Sequence, residues 1–369
     1  MRTVAAFTDT YLPTVNGVSY TVRTWRRHWR RRGGRMPVVY PDGDYRPAAG
    51  EYPVSSVPFP FYRGFRLGRP TVPNGVREPR PEIVHSHTPF ALGLAGKRFA
   101  SAIDAPLVAS YHTPAGEYAE YISGTFAGPI ERIADRYERW YFRTADAVVV
   151  PSETAAESVD SGPTPVYVVP NGVDTDRFAP ADPDAVAAFC DRHDLSEEPL
   201  VGYTGRHGHE KRLEEILTAT AGLDVSVVIA GDGPARPALE RRAETRPDVS
   251  VLDFFDRDTL PTFYTALDAF LFPSPVETQG LVALEAIACG TPVVAAEDGA
   301  LVETVTDGET GTHFPPGDSD AFRAAIDRTL AEADRLPTRL PRRRRQLDVD
   351  RSIEALESAY SSVLGASTG

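Results

Sequence analysis

Two glutamates flank a segment whose pattern predicts the start of a helix. A predicted strand ends at Pro273, Glu277 follows in a loop, and Glu285 lies inside a helix that begins near Gly280. The first turn of a helix presents free N–H groups and the positive end of the helix dipole, which suits a phosphate. Carboxylates on either side can accept hydrogen bonds from sugar hydroxyls. A surface loop with two solvated glutamates is the alternative, which Glu285 fits poorly because apolar residues surround it.

Two cations follow another predicted strand. Arg206 and Lys211 come directly after residues 201–204, with four residues between them. Cations placed there can bind a diphosphate from the side opposite a helix dipole. Lys211 is one of two lysines among 39 basic residues, the other being Lys97. Routine surface charge at the start of a helix is the alternative, and it suits Arg212 better than Arg206 or Lys211.

Alternating strands and helices must position these side chains. Short apolar runs alternate with helical patterns in both halves of the chain, which predicts an α/β fold with two parallel sheets. Ligands of such sheets bind beyond the carboxyl ends of the strands, where Glu277, Arg206 and Lys211 lie. The predicted strands are residues 2–8, 37–40, 83–86, 107–111, 147–151, 166–169, 201–204, 225–230, 249–252, 269–273, 292–295 and 312–314.

Turn and proline signals divide the chain into two predicted domains. The Asn171-Gly172 turn and the proline-rich stretch 180–183 place the boundary near residue 175. We therefore predict an N-terminal domain of residues 1–174 and a C-terminal domain of residues 175–349. The region 41–81 is rich in proline and glycine, and we predict a long loop there.

Length and composition exclude several classes of protein. A chain of 369 residues exceeds one typical core, and its 41% hydrophobic and 25% charged residues exclude a disordered or fibrous protein. No apolar stretch approaches the ~18 residues of a spanning helix, and Asp9 comes too early for a signal peptide. Cys190 and Cys289 are the only cysteines, which excludes a disulfide framework or a four-cysteine zinc site. We therefore expect a reduced, cytoplasmic protein.

The charge is acidic overall and uneven along the chain. The net charge is -13, and all basic residues except two are arginine, which is typical of a halophile's cytoplasm. A GC-rich genome would explain the arginines but not the acidic excess. Residues 1–100 carry a balance of +10, and the rest of the chain carries -23. This asymmetry indicates a partner with an anionic face, namely a membrane, a nucleic acid or a phosphorylated acceptor.

Several motifs, in order, resemble the retaining glycosyltransferases of family 4. The resemblance covers nearly the whole chain and implies the GT-B fold, with two Rossmann-like domains facing across a cleft. A C-terminal helix at about 350–369 is then expected to cross back to the N-terminal domain. The matching motifs are residues 9–18, 85–88, 111–114, 169–174, Gly205-Arg206 with Lys211, residues 231–234, and Glu277 to Glu285 with seven residues between.

The resemblance implies a donor-side role for each matched residue. Glu285 is expected to bind the nucleotide ribose, and Glu277 to contact hydroxyls of the donor sugar. Arg206 and Lys211 are expected to stabilise the departing diphosphate of a UDP- or GDP-linked sugar. The remaining donor-side residues, including backbone N–H groups at three of them, are expected to form a phosphate cradle: Asn16, Gly17, Thr278, Gln279, Gly280 and Leu281.

The resemblance also implies residues near the reacting carbon and the acceptor. His112 is expected beneath the donor sugar, while His87, Tyr118 and Tyr121 are expected on the acceptor side. Residues 85–93 and 111–121 look most like enzymes that glycosylate diacylglycerol-type lipids. We therefore expect a lipid or polyprenyl acceptor.

Three departures bear on the nucleobase and on metal binding. Residues 253–256 replace a glycine of many relatives in the segment that usually borders the base, which leaves the base open. His207 and His209 could be a metal-ligand pair, but two histidines without carboxylates are weak signs of zinc. Asp174 and Asp176 look like the metal-binding acids of another glycosyltransferase fold, but they follow a turn. We therefore predict neither a metal nor any other cofactor.

The first predicted helix, residues 17–32, combines tryptophans with arginines. Its apolar stripe must pack in part against the sheet, but six arginines beside two tryptophans resemble an interfacial helix. Because no known nucleic-acid module is present, we favour an anionic membrane over nucleic acid as the partner. The predicted membrane contacts are Trp25, Trp29, Arg26, Arg27, Arg30 and Arg31.

Together these features predict a metal-independent, retaining transferase that moves a hexose from a nucleotide sugar to a lipid or polyprenyl-linked acceptor. It is expected to be cytoplasmic and peripheral on the inner face of the cell membrane. A soluble or polysaccharide acceptor is an alternative. A GT-B-shaped epimerase, which needs an added acid/base pair, and a non-catalytic nucleotide-sugar-binding protein are the alternatives from other classes.

Overall fold

The computed structural model describes residues 2–14, 16–59, 65–112, 127–195, 199–332 and 340–366. The chain divides into two compact units, Met1–Asn171 with Val349–Gly369, and Gly172–Asp348. The predicted boundaries, after residues 174 and 349, lie close to this division. Each unit contains a parallel sheet with helices, so the predicted α/β class with two Rossmann-like halves is confirmed.

All twelve predicted strands are present, with ends shifted by at most two residues. Most of them are apolar and buried because helices cover both faces of a parallel sheet, whereas the edge strands at residues 166–168 and 249–252 are largely half-buried. The strands are β1 Val4–Phe7, β2 Val38–Pro41, β3 Glu51–Val54, β4 Ser56–Pro58, β5 Arg66–Gly68, β6 Ile83–Ser86, β7 Leu107–Ser110, β8 Ala147–Val150, β9 Val166–Val168, β10 Leu200–Arg206, β11 Ser226–Asp232, β12 Val249–Leu252, β13 Ala269–Phe272, β14 Val293–Ala296 and β15 Gly311–Phe314.

The helices connect successive strands, and none of those described has both the length and the apolar content that crossing a bilayer requires. They are α1 Gly17–Arg31, α2 Ala91–Ala102, α3 Ala127–Phe142, α4 Glu153–Ser158, α5 Pro183–His193, α6 Glu214–Ala219, α7 Arg236–Ala243, α8 Leu260–Ala266, α9 Leu281–Ala288, α10 Leu301–Thr304, α11 Ser319–Ala331, α12 Leu340–Leu347 and α13 Val349–Ala366.

The strand order reverses once in each sheet. Within the described residues, the first unit has the order β3-β2-β1-β6-β7-β8-β9, and the second has β12-β11-β10-β13-β14-β15. The reversal therefore falls between β1 and β6 in one unit and between β10 and β13 in the other. Loops that leave the carboxyl ends of these strands diverge and form the usual ligand crevice of a doubly wound sheet.

The prediction of a long loop over residues 41–81 is wrong. Strand β3 pairs in parallel with β2, Val38 opposite Glu51, and β4 pairs antiparallel with β5. Strand β3 lies at the edge of its sheet, where Pro53 can be accommodated although it has no N–H to donate. The prolines of this region therefore led to the prediction of a loop where an edge strand forms.

The two tryptophans of α1 belong to the core. Trp25 and Trp29 are 1% and 0% exposed, and the Trp29 ring meets Tyr360 of α13 edge-on at 5.4 Å. Their indole N–H groups donate to the carbonyls of Asn171 and Arg2 at 2.9 and 3.0 Å. The prediction that Trp25 and Trp29 contact a membrane is therefore corrected, because α13 and the sheet bury the face that carries them.

Arg26 is also buried, in an ion pair with Glu51. Its Nη1 lies 3.1 Å from Glu51 Oε1, and both side chains are almost fully enclosed. Glu51 also accepts hydrogen bonds from the hydroxyls of Tyr11 and Tyr45, at 2.9 and 3.0 Å. Arg26 therefore ties α1 to β3 and is removed from the predicted membrane surface.

The other three predicted membrane arginines lie nearer the surface. Arg30 and Arg31 are exposed, whereas Arg27 is half-buried. Their contact with a membrane stays a prediction.

The chain returns to the first unit at its C-terminus, as predicted. Helix α13 packs on α1, and His28 Nδ1 lies 3.1 Å from Asp350 Oδ1. Tyr360 reaches the sheet itself, where its hydroxyl lies 2.6 Å from Nδ1 of His85 on β6. The C-terminal helix is therefore part of the first core.

Replacing Arg26 with methionine is expected to destabilise the first unit by about 3–5 kcal/mol, because it leaves the buried Glu51 carboxylate without its counter-ion. Urea unfolding followed by tryptophan fluorescence measures this unit, since Trp25, Trp29 and Trp140 all lie in it. The exposed Arg30→Gln is the matched control and should change stability by no more than ~0.5 kcal/mol. Equal midpoints and slopes for the two variants would contradict the buried pair.

Candidate active site

The order reversal in the second unit brings two predicted site loops together. Strands β10 and β13 pair in parallel, with Val201 opposite Ala269 and Gly202 opposite Phe270. Arg206 is the last residue of β10, the segment after it carries Lys211, and the loop after β13 carries Glu277. Neighbouring parallel strands end at the same edge of the sheet, so side chains far apart in sequence meet there.

Lys211 and Glu277 form a direct ion pair. Lys211 Nζ lies 2.7 Å from Glu277 Oε1, and each side chain is 13% exposed. The sequence predicts a phosphate cation and a sugar-binding carboxylate as separate contacts, and the structure places them within one hydrogen bond. This bond uses one of the three N–H donors of the Lys211 ammonium.

Arg206 also has a carboxylate partner, Glu210, four residues further along. The Glu210 side chain is almost fully enclosed, whereas that of Arg206 is 30% exposed. Sequence reasoning missed Glu210, although its i,i+4 spacing from Arg206 is a local signal. Each of the two predicted phosphate-binding cations therefore already forms an ion pair with a carboxylate of the protein.

Helix α9 begins at a glycine that its surroundings require. Gly280 has φ +76°, and a Cβ there would lie 2.7 Å from Leu301 Cδ2 and 3.0 Å from Phe272 Cε1. Its carbonyl accepts the N–H groups of Ala283 and Leu284. The N–H group of Leu281 lies before the first hydrogen bond within the helix, as an anion site at the start of a helix requires.

Thr278 and Gln279 lie in the loop before this helix. Gln279 is buried, and its carbonyl accepts a hydrogen bond from Thr304 Oγ1, which fixes the loop. Thr278 is half-buried. Their contact with a donor stays a prediction.

Glu285 is buried and already bound by two side chains. It is 2% exposed, Arg257 Nη2 donates to its Oε1 at 2.8 Å, and the Tyr264 hydroxyl donates to Oε2 at 3.0 Å. Burial and the neighbouring Glu285 charge hold the pKa of Tyr264 well above its usual value, so it stays a donor. Sequence reasoning missed Arg257 and Tyr264. Each Glu285 oxygen retains a second lone pair, and the predicted ribose contact stays a prediction.

The two histidines after β10 do not share a site. His207 is fully buried, which lowers its pKa, whereas His209 is exposed. Within the described ranges, no three His, Cys, Asp or Glu side chains are grouped so that they could hold a metal ion. The Asp174 carbonyl accepts the N–H groups of Arg177 and Phe178, which is the turn predicted there.

Three histidines stack beneath the order reversal of the first unit. The rings of His85 and His87 are stacked with centroids 4.1 Å apart, and His87 Nδ1 lies 3.2 Å from His112 Nε2. His85 on β6 is held by Tyr360 and by Ser110 Oγ, at 2.6 and 2.7 Å. The structure therefore brings the predicted His87 and His112 together and adds His85 to them.

Burial keeps these imidazoles neutral. It lowers the pKa of His85 to about 3 and that of His112 to about 4, and it lowers the pKa of His87 well below its usual value. The Trp25 ring lies 6.0–6.3 Å from all three rings and excludes water from one side. At neutral pH these side chains therefore offer uncharged nitrogens.

A small, open pocket lies beside His87 and His112. Its described walls combine the two imidazoles with Glu138 and with apolar side chains such as Val18 and Phe90. Tyr118 and Tyr121, which are predicted on the acceptor side, lie outside the described residues.

The loop before α1 is fixed by its own polar side chains. The side-chain Oδ1 of Asn16 accepts from the Ser19 N–H at 2.9 Å and so caps α1, and the side-chain NH2 of Asn16 donates to Thr10 Oγ1 at 2.7 Å. The space where a Cβ of Gly17 would lie is open. Asn16 therefore has a capping role, and the predicted phosphate contact at Gly17 remains sterically accessible.

Asp9 follows β1 and caps α2. Its carboxylate accepts from Thr88 Oγ1 at 2.8 Å and from the Leu92 N–H at 3.0 Å. Burial nevertheless raises its pKa to about 6. Asp9, the first residue of the motif 9–18, therefore has a structural role, because it ties the end of β1 to the start of α2.

The histidine cluster is expected to make the first unit less stable as pH falls below about 6.5, the usual pKa of histidine. Below that pH the histidines of the unfolded chain bind protons, whereas the buried rings of the folded chain stay neutral. The free energy of unfolding therefore falls by up to ~1.4 kcal/mol per pH unit for each histidine. Asp9 has the opposite effect on stability at pH values between the usual pKa of aspartate and its own pKa of about 6. Its effect is smaller because one aspartate opposes three histidines. Urea unfolding between pH 7.5 and 5 measures the slope, which should be shallower in His112→Gln. Equal slopes would contradict neutral burial of His112.

Comparison with known proteins agrees with this geometry. Residues 15–177 match the family model described as Glycosyltransferase Family 4, and residues 191–346 match Glycosyl transferases group 1. A GDP-mannose-dependent alpha-mannosyltransferase of Mycobacterium tuberculosis is 31% identical over 85% of this chain and 84% of its own length. An alpha-monoglucosyldiacylglycerol synthase of Streptococcus pneumoniae is 27% identical over 90% of this chain and 79% of its own.

A D-inositol 3-phosphate glycosyltransferase of Salinispora tropica is 33% identical over 77% of this chain and 64% of its own length. Among solved structures, sucrose-phosphate synthase from Thermosynechococcus elongatus superposes with a TM-score of 0.81 at 21% identity, over 99% of this chain and 100% of that one. That likeness shows the GT-B fold. The chain therefore belongs to the glycosyltransferases of family 4, and its second unit is a group 1 glycosyltransferase domain.

Proposed function

We propose that this glycosyltransferase moves a hexose from a UDP- or GDP-linked sugar to a lipid or polyprenyl-linked acceptor, with retention of the anomeric configuration. The observation that carries the proposal is the Lys211–Glu277 pair beside the start of α9. It combines a cation, a carboxylate and a helix N-terminus within one loop cluster. A sugar bound to a diphosphate presents partners for all three.

The charges suit departure of a diphosphate. As the bond from the anomeric carbon to the diphosphate oxygen breaks, its electron pair goes to the diphosphate, where negative charge grows. Lys211 and Arg206 bring two positive charges to this side of the donor, and the start of α9 at Leu281 adds the positive end of the helix dipole. Fixed groups of this kind stabilise developing charge without reorganising. They serve the role that a divalent ion fills in other transferases, so we propose that no metal is required.

Glu277 and Glu285 suit the two sugars of the donor. Glu277 uses one oxygen for Lys211, so its other oxygen can accept from a hexose hydroxyl. Glu285 is oriented by Arg257 and Tyr264, and its remaining lone pairs can accept from ribose hydroxyls. Carboxylates held in this way lose little freedom when they bind.

The first unit suits the acceptor. The acceptor hydroxyl forms the new bond on the face that the diphosphate leaves, and its proton passes to a diphosphate oxygen. His112 is neutral, so near the reacting carbon it offers a lone pair or an N–H group but no repelling positive charge. The relative named as an alpha-monoglucosyldiacylglycerol synthase supports a lipid acceptor. With such an acceptor, we propose that the enzyme acts at the cytoplasmic face of the membrane. The relative named for inositol 3-phosphate favours one alternative, a soluble phosphorylated acceptor.

Incubation with radiolabelled UDP-glucose, UDP-galactose and GDP-mannose tests the proposal. One arm contains a membrane lipid extract, and a second contains inositol phosphate. We expect an organic-extractable product from one donor, α-linked by NMR, formed equally well with a chelator. A water-soluble product would select the alternative acceptor. Donor binding without any product in either arm would instead identify a non-catalytic binding protein.

Lys211→Ala is expected to lower turnover by ~10²–10³-fold while changing donor affinity by less than tenfold, because leaving-group charge grows toward the transition state. Arg212→Gln is the matched control, since Arg212 is an adjacent cation that pairs with Glu215. Steady-state kinetics with the active donor measure both quantities. A raised Michaelis constant with unaltered turnover would place Lys211 in ground-state binding only.

A further inference from the structure

Helix α3 carries two exposed apolar side chains on its outer face. Ile133 is 70% exposed and Trp140 is 47% exposed. They lie seven residues apart, which is close to two full turns, so they share one face. Exposure of the Trp140 ring to water is energetically unfavourable. The other two tryptophans of the protein are completely buried.

Arginines form a second stripe beside this one. Arg132, Arg136, Arg139 and Arg143 are all exposed and follow one another at spacings of four, three and four residues. Asp160 is shared between two of them, 3.7 Å from Arg139 Nη1 and 2.8 Å from Arg143 Nη2. Asp160 and Asp135, an acid of the same helix, are two carboxylates against four guanidinium groups, so the stripe stays cationic.

The opposite face anchors the helix, so the outer face is not needed for folding. Tyr141 and Phe142 are buried, and the Tyr141 hydroxyl donates to Ser86 Oγ at 2.6 Å. Lys97 Nζ lies 4.5 Å from the centre of the Trp140 ring, a cation–π contact that adds another positive charge to the surface. The ring is thus held on the outside, next to cations.

We propose that this face of α3, formed by Arg132, Ile133, Arg136, Arg139, Trp140 and Arg143, docks the protein on an anionic lipid bilayer. A tryptophan and an isoleucine can enter the headgroup region while the arginines meet lipid phosphates. Charge complementarity favours this occupant, because the chain has a net charge of -13 and an anionic bilayer therefore attracts only local cationic faces such as this one. The proposal rests on the proposed lipid acceptor and replaces the tryptophan face of α1, which is buried.

The position of α3 gives docking a function. Glu138, on the same helix, lines the pocket that contains His87 and His112. A bilayer against the outer face of α3 therefore lies one helix diameter from the predicted acceptor site. A lipid headgroup could reach the pocket without leaving the membrane.

Tryptophan fluorescence tests this docking with little background. Trp140 is the exposed one of the three tryptophans, and the other two already lie in an apolar core. With vesicles of phosphatidylcholine and phosphatidylglycerol we expect a blue shift and quenching by doxyl-labelled lipid. Vesicles of phosphatidylcholine alone should give neither at low salt.

Arg132→Gln/Arg136→Gln keeps Trp140 as the reporter and should weaken partition onto the anionic vesicles at least tenfold. Ile133→Ser should weaken it several-fold, and more clearly at high salt, where the arginines are screened. If α3 is the docking face, Arg30 and Arg31 of α1 do not contact the bilayer, so Arg30→Gln/Arg31→Gln is the matched control and should partition like the wild type. Unchanged thermal midpoints show that each variant folds.

Three results would overturn the proposal. One is the absence of a shift with anionic vesicles, and another is equal partition of Arg132→Gln/Arg136→Gln and the wild type. The third is a blue shift without lipid that grows with protein concentration, which would assign the face to a second copy of the chain. Turnover with a detergent-solubilised acceptor separates this test from the proposed function, because it should survive Arg132→Gln/Arg136→Gln and fail in Lys211→Ala.

Discussion

The reversal of strand order is the constraint on which the candidate site residues of each unit depend. In the second unit β10 and β13 are neighbours although two strands and three helices separate them in the chain, so their loops leave the same edge and diverge. Lys211 and Glu277, 66 residues apart, meet there at 2.7 Å. The first unit repeats this arrangement, with Asp9 after β1 and His87 after β6. Parallel pairing thus gathers polar side chains at one edge while the strands themselves stay apolar.

Burial then determines the chemical state of each group. In the first unit it keeps three imidazoles neutral and raises the pKa of Asp9 to about 6. In the second unit charges survive because each has a partner, Lys211 with Glu277 and Arg257 with Glu285. A buried charge without such a partner would be too costly. The first unit therefore presents uncharged groups, and the second presents cations and carboxylates that an anionic donor can engage.

Much of this architecture could be predicted from the sequence, because apolar period and strand ends are local signals. Every predicted strand forms, and Lys211 and Glu277 lie at strand ends as expected. Contacts between residues that are distant in sequence could not be predicted, because no local pattern indicates them. The stripe of Trp25 and Trp29 has the same appearance whether a bilayer or a helix covers it, and α13, more than three hundred residues later, is what covers it. Arg257 and Tyr264 likewise reach Glu285 only through the fold, and Pro53 concealed an edge strand.

The central claim is that Lys211 and Glu277 act as one unit on the donor. A double-mutant cycle tests it most directly, with turnover measured for the wild type, Lys211→Ala, Glu277→Gln and the double variant using the donor that gives product. Residues in contact that share a substrate are expected to couple by about 1–3 kcal/mol. The account predicts that the double variant loses little more turnover than the worse single variant. Losses that multiply independently would show that the ion pair has no joint role and would contradict the account.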